Sequence, residues 1–532
     1  MLHGRSGIGD QGPGAGRSGS TLSGPNSRGP VPRRPEDCAC VCVVAEGLAA
    51  QAPGPRSPAP DQALPYPLMG TYLAFDLGAE SGRAILGCLS HGQLAIDELH
   101  RFPNTPLREA DGLFWDYTRL WHEIQHALHL AVTGRRTALD GIGVDTWGVD
   151  FGLLGPDGTL LEKPRHYRDS RNAAAMGEVL RQVPREEVFQ ATGVQLMQLN
   201  TLFQLYAMHM AGSPALAAAR RLLNMPDLIN YALTGEARSE ITIASTTQFF
   251  NPCTMTWATD LLRRLGLPTA ILAPLTEPGT RLAGMIDPPH VPVYCVGGHD
   301  TASAVAAAPA DGGQNWCYIS SGTWSLMGLE LDRPIINEAS RTANYTNEVG
   351  VGGKIRFLKN IAGMWLIEEC RRAWRLEGVE YTHSELMRMA AAAPFRSAID
   401  PDAFLEPGDM PRKIAQHCRA CGHEPPASHG EFVRTILESL ALRYCEVLDN
   451  LERISGRKIE VIHIVGGGSK NRLLNQIVAG RTGRLVIAGP SEATAIGNIL
   501  VQALGAGELS GLDEIRAVVR RSFAPEVFQP HS

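Results

Sequence analysis

At Gly78-Ala79-Glu80-Ser81-Gly82 small residues let backbone N–H groups approach an anion, Ser81 adds a hydroxyl donor, and Arg83 adds positive charge beside it. That chemistry suits a nucleotide phosphate. Asp76, at the end of the preceding apolar run, could hold the water shell of a magnesium ion, which takes hard oxygen ligands and keeps several waters. A second turn, Ser321-Gly322-Thr323, has the same small, hydroxylated character, and Gly466-Gly467-Gly468 would let a flat adenine or ribose lie against backbone. Each stretch alone has a plainer reading: a Gly-rich hairpin turn is more often only a turn, Ser and Thr satisfy turn backbones in most proteins, and a bare Gly triplet is usually a loop. Pairing is what gives them weight, because two such turns in corresponding places can grip a phosphate chain from opposite sides of a cleft.

A carboxylate able to accept a proton is found in Val296-Gly297-Gly298-His299-Asp300-Thr301. Asp300, at a Gly-flanked strand-to-helix junction, can take the proton of a hydroxyl as it attacks a γ-phosphate. Spacing alone favours the plainer role of a helix N-cap.

The elements that must position these residues repeat. Thr71 to Asp76 reads as a strand, and Arg83 to Cys88 returns as its hairpin partner. Leu120, Ile124, Ala127, Leu128 and Ala131 then recur at helical spacing with Gly134 as a stop, before a strand from Gly141 to Val144 that ends at Asp145. The second half follows the same plan. Trp316 to Ser320 enters a small-residue turn and leaves through Trp324 to Gly328. A long amphipathic helix with Val433, Ile436, Leu437, Leu440, Val447, Leu448 and Leu451 on one side precedes the strand Val461 to Val465. Two halves of like topology point to an internally duplicated α/β fold with a cleft between them.

Composition agrees. A chain of 532 residues, 44% hydrophobic and 20% charged, holds enough apolar material for two cores. A net charge of -6 gives no electrostatic reason to expect nucleic acid or an anionic membrane as partner, and no apolar run reaches the roughly 18 residues of a membrane span. The 11 cysteines are scattered, which favours reduced thiols and a cytoplasmic location. His417-Cys418-Arg419-Ala420-Cys421-Gly422-His423 resembles half a zinc site, but a second ligand pair at the usual spacing is missing. Trp324, Trp365 and Trp374 read as core aromatics. Residues 1 to 68 are rich in Gly, Pro, Arg and Ser and read as a disordered extension, with Met69 the expected natural start. Cys38 to Ala50 is briefly apolar, but Glu46 interrupts it and Glu36 and Asp37 precede it, so it does not read as a signal peptide.

Together these pieces resemble the FGGY carbohydrate kinases over about residues 70 to 525, and within them the branch that phosphorylates L-rhamnulose. The resemblance is carried by Phe75-Asp76-Leu77-Gly78-Ala79-Glu80-Ser81-Gly82-Arg83, with Ala79 where many sister kinases have Thr, and by Gly143 to Phe151 followed by Tyr167-Arg168-Asp169-Ser170-Arg171. It extends through His299-Asp300-Thr301, Ser320 to Gly328, Leu358-Lys359-Asn360 and His463 to Gly468. It implies duplicated ribonuclease H-like domains of the actin/hexokinase ATPase kind with an interdomain cleft: an extension at 1–68, an N-terminal domain at 69–312, a nucleotide-binding C-terminal domain at 313–525 and a tail at 526–532. It further implies that Asp300 is the general base, that Gly148, His299, Thr301 and Asn360 contact the ketose with Asp300, and that Ala79, Glu80, Ser81, Gly82, Arg83, Thr323 and Gly467 bind ATP. Asp76, and after it Asp145, would organise magnesium. Glu368 departs from the family's pattern, which has Gln near the nucleotide; a carboxylate there would repel phosphate unless it faces away or contacts ribose. A sister kinase such as a fuculokinase would share fold and ATP motifs and differ in the sugar pocket. An actin-like ATPase without sugar chemistry is opposed by His299-Asp300-Thr301 and Trp147-Gly148-Val149-Asp150.

Overall fold

The computed structural model describes residues 69–134, 138–287, 290–312 and 315–530. The expected disordered extension at 1–68 lies outside the described residues.

The first sheet grows from the hairpin that the apolar runs foretell. Strand β1 (Met69–Leu77) pairs antiparallel with β2 (Ser81–Ser90), and β2 pairs antiparallel with β3 (Gln93–Pro103). Helix α1 (Tyr117–His129) buries Leu120, Ile124, Ala127 and Leu128, and the Asp116 carboxylate caps it by accepting from Arg119 N. The chain does not stop there but makes one wider turn over Leu130–Gly134. It returns as β4 (Gly141–Thr146), parallel to β1, and later adds β5 (Val293–Tyr294) beside β4, giving the order β5-β4-β1-β2-β3. Helix α2 (Asp300–Ala306) follows.

The second sheet repeats this order. Strands β6 (Trp316–Ser321) and β7 (Trp324–Leu331) form the hairpin, β8 (Thr346–Val349) and β9 (Ile355–Ala362) extend it, and helix α3 (Trp365–Leu376) follows. Helix α4 (His429–Ser455) carries the expected apolar side inward and ends at Gly456, whose φ of 71° is the left-handed conformation that glycine adopts without a Cβ clash. Then come β10 (Val461–Val465), parallel to β6, β11 (Leu485–Ala488), helix α5 (Ala493–Gly505) and β12 (Glu526–Phe528). The order is β8-β9-β7-β6-β10-β11-β12. With β6, β7, β9, β10 and β11 standing for β1 to β5, the two sheets have one topology, as duplication requires.

Two expectations need correction. Residues 526–532 were expected as a tail, yet Glu526–Phe528 pairs antiparallel with β11 and closes the sheet edge. Nor does the split at 312/313 separate the cores. Helix α5, late in the chain, packs on the first sheet: Asn498 Nδ2 donates to Asp145 Oδ2 at 2.6 Å, Gln502 Nε2 donates to Leu73 O at 3.1 Å, and Ile499 fills the space above Gly87. Its Gly497 lies so close to α2 that a Cβ would meet the Ser303 carbonyl at 1.9 Å. One apolar cluster accordingly joins Tyr72 and Ala74 of β1, Ala304 of α2, Val465 of β10 and Ile496, Ile499 and Leu500 of α5. Among the described residues no helix is long and apolar enough to cross a membrane.

Candidate active site

A cavity of ≈ 1040 Å³ opens where the two hairpin turns, the Gly triplet and the start of α2 meet. Asp76, Ala79, Glu80, Ser81, Arg83, Gly148, His299, Asp300, Thr301, Thr323, Asn360, Glu368 and Gly467 all line it. Gly82 does not; its Cα faces the Phe102 ring, which a Cβ would meet at 2.3 Å, so its role is to let β2 pass close to β3.

The first turn is closed by Gly78 N donating to Ser81 O at 3.0 Å and is held from β3's end by Asn104, which donates through Nδ2 to Gly78 O at 3.0 Å and through its backbone to Glu80 O at 2.9 Å. The second turn is tied to the start of α3, because Met364 N donates to Gly322 O at 3.0 Å and Gly363 N to Thr323 O at 3.2 Å. The Gly triplet sits against this turn: a Cβ on Gly468 would lie 2.0 Å from Ser321 Oγ, whereas Gly467 faces open space. Both turns and the triplet therefore present backbone to one volume, the arrangement a phosphate chain and a nucleoside need.

Asp300 is the first residue of α2, and the N-cap position belongs to His299. The plainer reading of Asp300 as a cap thus gives way to a carboxylate one residue into the helix, where Oδ1 accepts from Thr301 N at 2.6 Å and Thr301 Oγ1 at 3.1 Å. Its loop is pinned from behind. Glu240 Oε2 accepts from Gly298 N at 3.0 Å, Thr242 Oγ1 accepts from His299 N at 3.2 Å, and Thr146 N donates to Gly298 O at 2.9 Å. Burial pushes the Glu240 carboxyl up to about 7 even though it accepts several hydrogen bonds.

On the opposite wall, Gly148 leaves His299 Nε2 room: a Cβ there would stand 3.4 Å from that nitrogen. Next to it Val149 has φ 69°, a left-handed conformation that a β-branched residue rarely takes. It is held there by Thr246 Oγ1, which accepts from Val149 N at 3.1 Å, and by Thr201 Oγ1, which donates to Val149 O at 2.5 Å. Asp150, buried beneath, accepts from Trp115 Nε1 at 2.6 Å, Trp147 Nε1 at 3.0 Å and Gln204 Nε2 at 2.8 Å, so it orients the indole of Trp147 at the cavity wall. Burial raises its carboxyl to about 7. Asn360, on β9, is met by Gln195, whose Oε1 accepts from Asn360 N at 2.9 Å and Nδ2 at 3.2 Å.

The acidic groups divide into two kinds. Asp76 is buried, paired with Arg83 Nη2 at 2.7 Å, and burial lifts its carboxyl to about 6, aided by Asp300 and Glu492 against the pull of Arg83. Arg83 also pairs with Glu492. Asp145 is raised by burial and by Asp76, and its Oδ1 is a buried oxygen with no protein donor. Glu368, by contrast, is countered locally: Arg371 Nη1 donates to it at 2.7 Å and His383 Nε2 lies 3.2 Å away. Burial and the nearby Glu368 charge raise Glu80. Trp374 is core as expected, while Trp324 lines the cavity.

The chain belongs to the FGGY family of carbohydrate kinases: the family's N-terminal domain matches residues 71–305 and its C-terminal domain residues 317–506. Such kinases take the phosphoryl group from ATP and place it on a small sugar substrate. The chain is 44% identical over 469 residues to the rhamnulokinase of Bacteroides thetaiotaomicron, covering 86% of this chain and 96% of that one. It is 41% identical over 474 residues to the rhamnulokinase of Enterococcus faecalis, covering 86% and 94%. In fold it is similar to the Plasmodium falciparum glycerol kinase with ADP, at TM-score 0.69 and 14% identity over 87% of this chain and 94% of that one.

Proposed function

We propose that this protein transfers the γ-phosphate of ATP to the 1-hydroxyl of L-rhamnulose, giving L-rhamnulose 1-phosphate and ADP in L-rhamnose catabolism. The observation that carries the reading is the convergence on one cavity of two phosphate-sized turns, a Gly platform and the His299-Asp300-Thr301 corner. The names of the relatives support the choice of sugar.

In this reading Asp300 is the general base and accepts the sugar hydroxyl proton as the oxygen attacks phosphorus. Gly148, His299, Thr301 and Asn360 hold the ketose so that this hydroxyl faces Asp300. Backbone and side chains from Ala79 to Arg83, with Thr323 and Gly467, take the ATP. Gly82 contributes by allowing the β2 approach, and Glu368 sits near the nucleotide with its charge offset by Arg371. The residues present fit magnesium: the nearby donors are carboxylate oxygens, one of them the unpartnered Asp145 Oδ1, and among the described residues no larger set of His, Cys, Asp or Glu converges to chelate a metal directly. Asp76, with Asp145 behind it, would hold the ion through water, and the bound ion would neutralise charge on the phosphates. The working unit is a pair of kinase domains, 69–312 and 313–525 with Glu526–Phe528 completing the second sheet, acting in the cytoplasm and joined through one core by α5.

A coupled ADP-release assay offering L-rhamnulose beside L-fuculose, L-xylulose and glycerol tests this, with ³¹P NMR locating the phosphate. Preference for L-rhamnulose and a 1-phosphate product are expected. Faster turnover of another sugar would reassign the substrate.

A further inference from the structure

His299 carries more neighbours than contact with a sugar requires. Its Nδ1 faces a complete ion pair at the back of the cavity: Arg356, fully buried on β9, and Glu348, nearly so on β8 and part of the cavity lining, with Arg356 Nη2 and Glu348 Oε2 3.2 Å apart. Both lie close to Nδ1. Arg356 Nη2 is 3.1 Å from it and Glu348 Oε2 is 3.2 Å from it. Distance does not separate a donor from an acceptor here, but direction does. The guanidinium N–H points at Nδ1, whereas Glu348 Oε2 meets no donor in hydrogen-bond geometry. Arg356 is itself fixed, since its Nε donates to Val349 O at 3.1 Å. A guanidinium has only donors, so the nitrogen facing it must be the acceptor, and the ring proton then belongs on the other side.

We infer that Arg356, neutralised by Glu348, is a positioning residue that fixes His299 with its proton on Nε2, so that the imidazole presents an N–H donor to the ketose beside Asp300. The inference rests on the reading of this cavity as the sugar site. Nε2 is the nitrogen that lines up with the functional groups: it lies 3.5 Å from Asp300 Oδ1 and against the bare Cα of Gly148. An N–H there donates to a sugar oxygen next to the reacting hydroxyl and leaves Asp300 as the group that accepts a proton. The opposite tautomer would put two acceptors side by side and lose that division of labour. Glu348 is explained by the same arrangement. Burial alone would raise its carboxyl, but the Arg356 charge is foremost among the influences that hold it below the usual range, so it stays an anion that balances the buried guanidinium.

The test is the ring ¹⁵N spectrum of histidine-labelled full-length protein without sugar, above the ordinary histidine range, with His299 assigned by loss of its signals in His299→Gln. A pyridine-like Nδ1 and a protonated Nε2 are expected; a protonated Nδ1 in the wild-type chain overturns the inference. The double variant Arg356→Met with Glu348→Gln, which removes both charges together, should lose the preference and raise KM for the sugar about tenfold, one hydrogen bond in a desolvated site, with KM for ATP unchanged. An unaltered spectrum and unaltered sugar KM in that variant would also overturn it. Should the variant not fold, the wild-type spectrum decides alone. Because that spectrum needs no turnover, an Nε2–H result together with failure to phosphorylate L-rhamnulose would leave the tautomer standing and remove the substrate assignment.

Discussion

Asn360 reaches the cavity with its amide already oriented, because Gln195 spends one oxygen on both the backbone and the side-chain N–H of that residue. Gln195→Leu keeps the volume and removes the acceptor, so KM for the sugar should rise about tenfold while KM for ATP holds; equal changes in both would mean a general loosening. Glu368 supports the opposite kind of prediction. Since Arg371 already balances its charge, Glu368→Gln should lower KM for ATP by no more than about threefold, well under one pair of close unscreened charges, as read from initial rates against ATP. At this scale the sequence showed what lines the cavity, because those residues sit in compact motifs. It did not show Gln195, Asn104 or Glu240, each of which acts on a motif 26 to 165 positions away through one hydrogen bond. Nor could it show that His299, not Asp300, takes the N-cap position of α2, where its side chain makes no capping bond, since both spacings satisfy a helix start.

Among the elements, the hairpins, α4 and β10 were legible from alternation and helical period, and the π-like turn after α1 was not, because Gly134 marks a stop without saying how the last turn is wound. Helix α5 was the larger surprise. Its residues are mostly apolar and its two amides, Asn498 and Gln502, are buried with them, which marks a helix enclosed by the fold but not what surrounds it. The structure places it between β1, β4 and α2, and Gly497 is the point of closest approach. Gly497→Ala would push a methyl group into a backbone carbonyl that no rotamer change can move. It should cost about 1–3 kcal/mol or more and lower Tm measurably in thermal denaturation, whereas Gly480→Ala, with open space around its Cα, should not.

For the molecule as a whole, the cleft is built at the expense of burying acids. Asp76 is held at about 6, and Asp150 and Glu240 at about 7, all above their ordinary range near 4. The folded chain therefore binds protons that the unfolded chain has released between about pH 4 and 7, and the stability these groups add at low pH is lost as pH rises through 7. Urea midpoints taken across that window should fall towards neutral pH, and Glu240→Gln should flatten part of the slope; an unchanged slope would show that Glu240 does not titrate there. The duplicated topology was readable because strand, small-residue turn, strand, helix and strand recur in order. The shared core through α5 was not, because contacts between halves leave no period in the chain. The central claim is that this duplicated frame holds Asp300 as the base for phosphoryl transfer to a sugar. Its most direct test is Asp300→Asn, which keeps an acceptor for Thr301 but removes the basic oxygen, with sugar-dependent ADP release and calorimetric ATP binding measured on the same preparation. Wild-type affinity for ATP with kcat lower by about 10²–10⁴-fold is the expected result. Turnover within about threefold of wild type, far inside the range a general base contributes, would contradict the account.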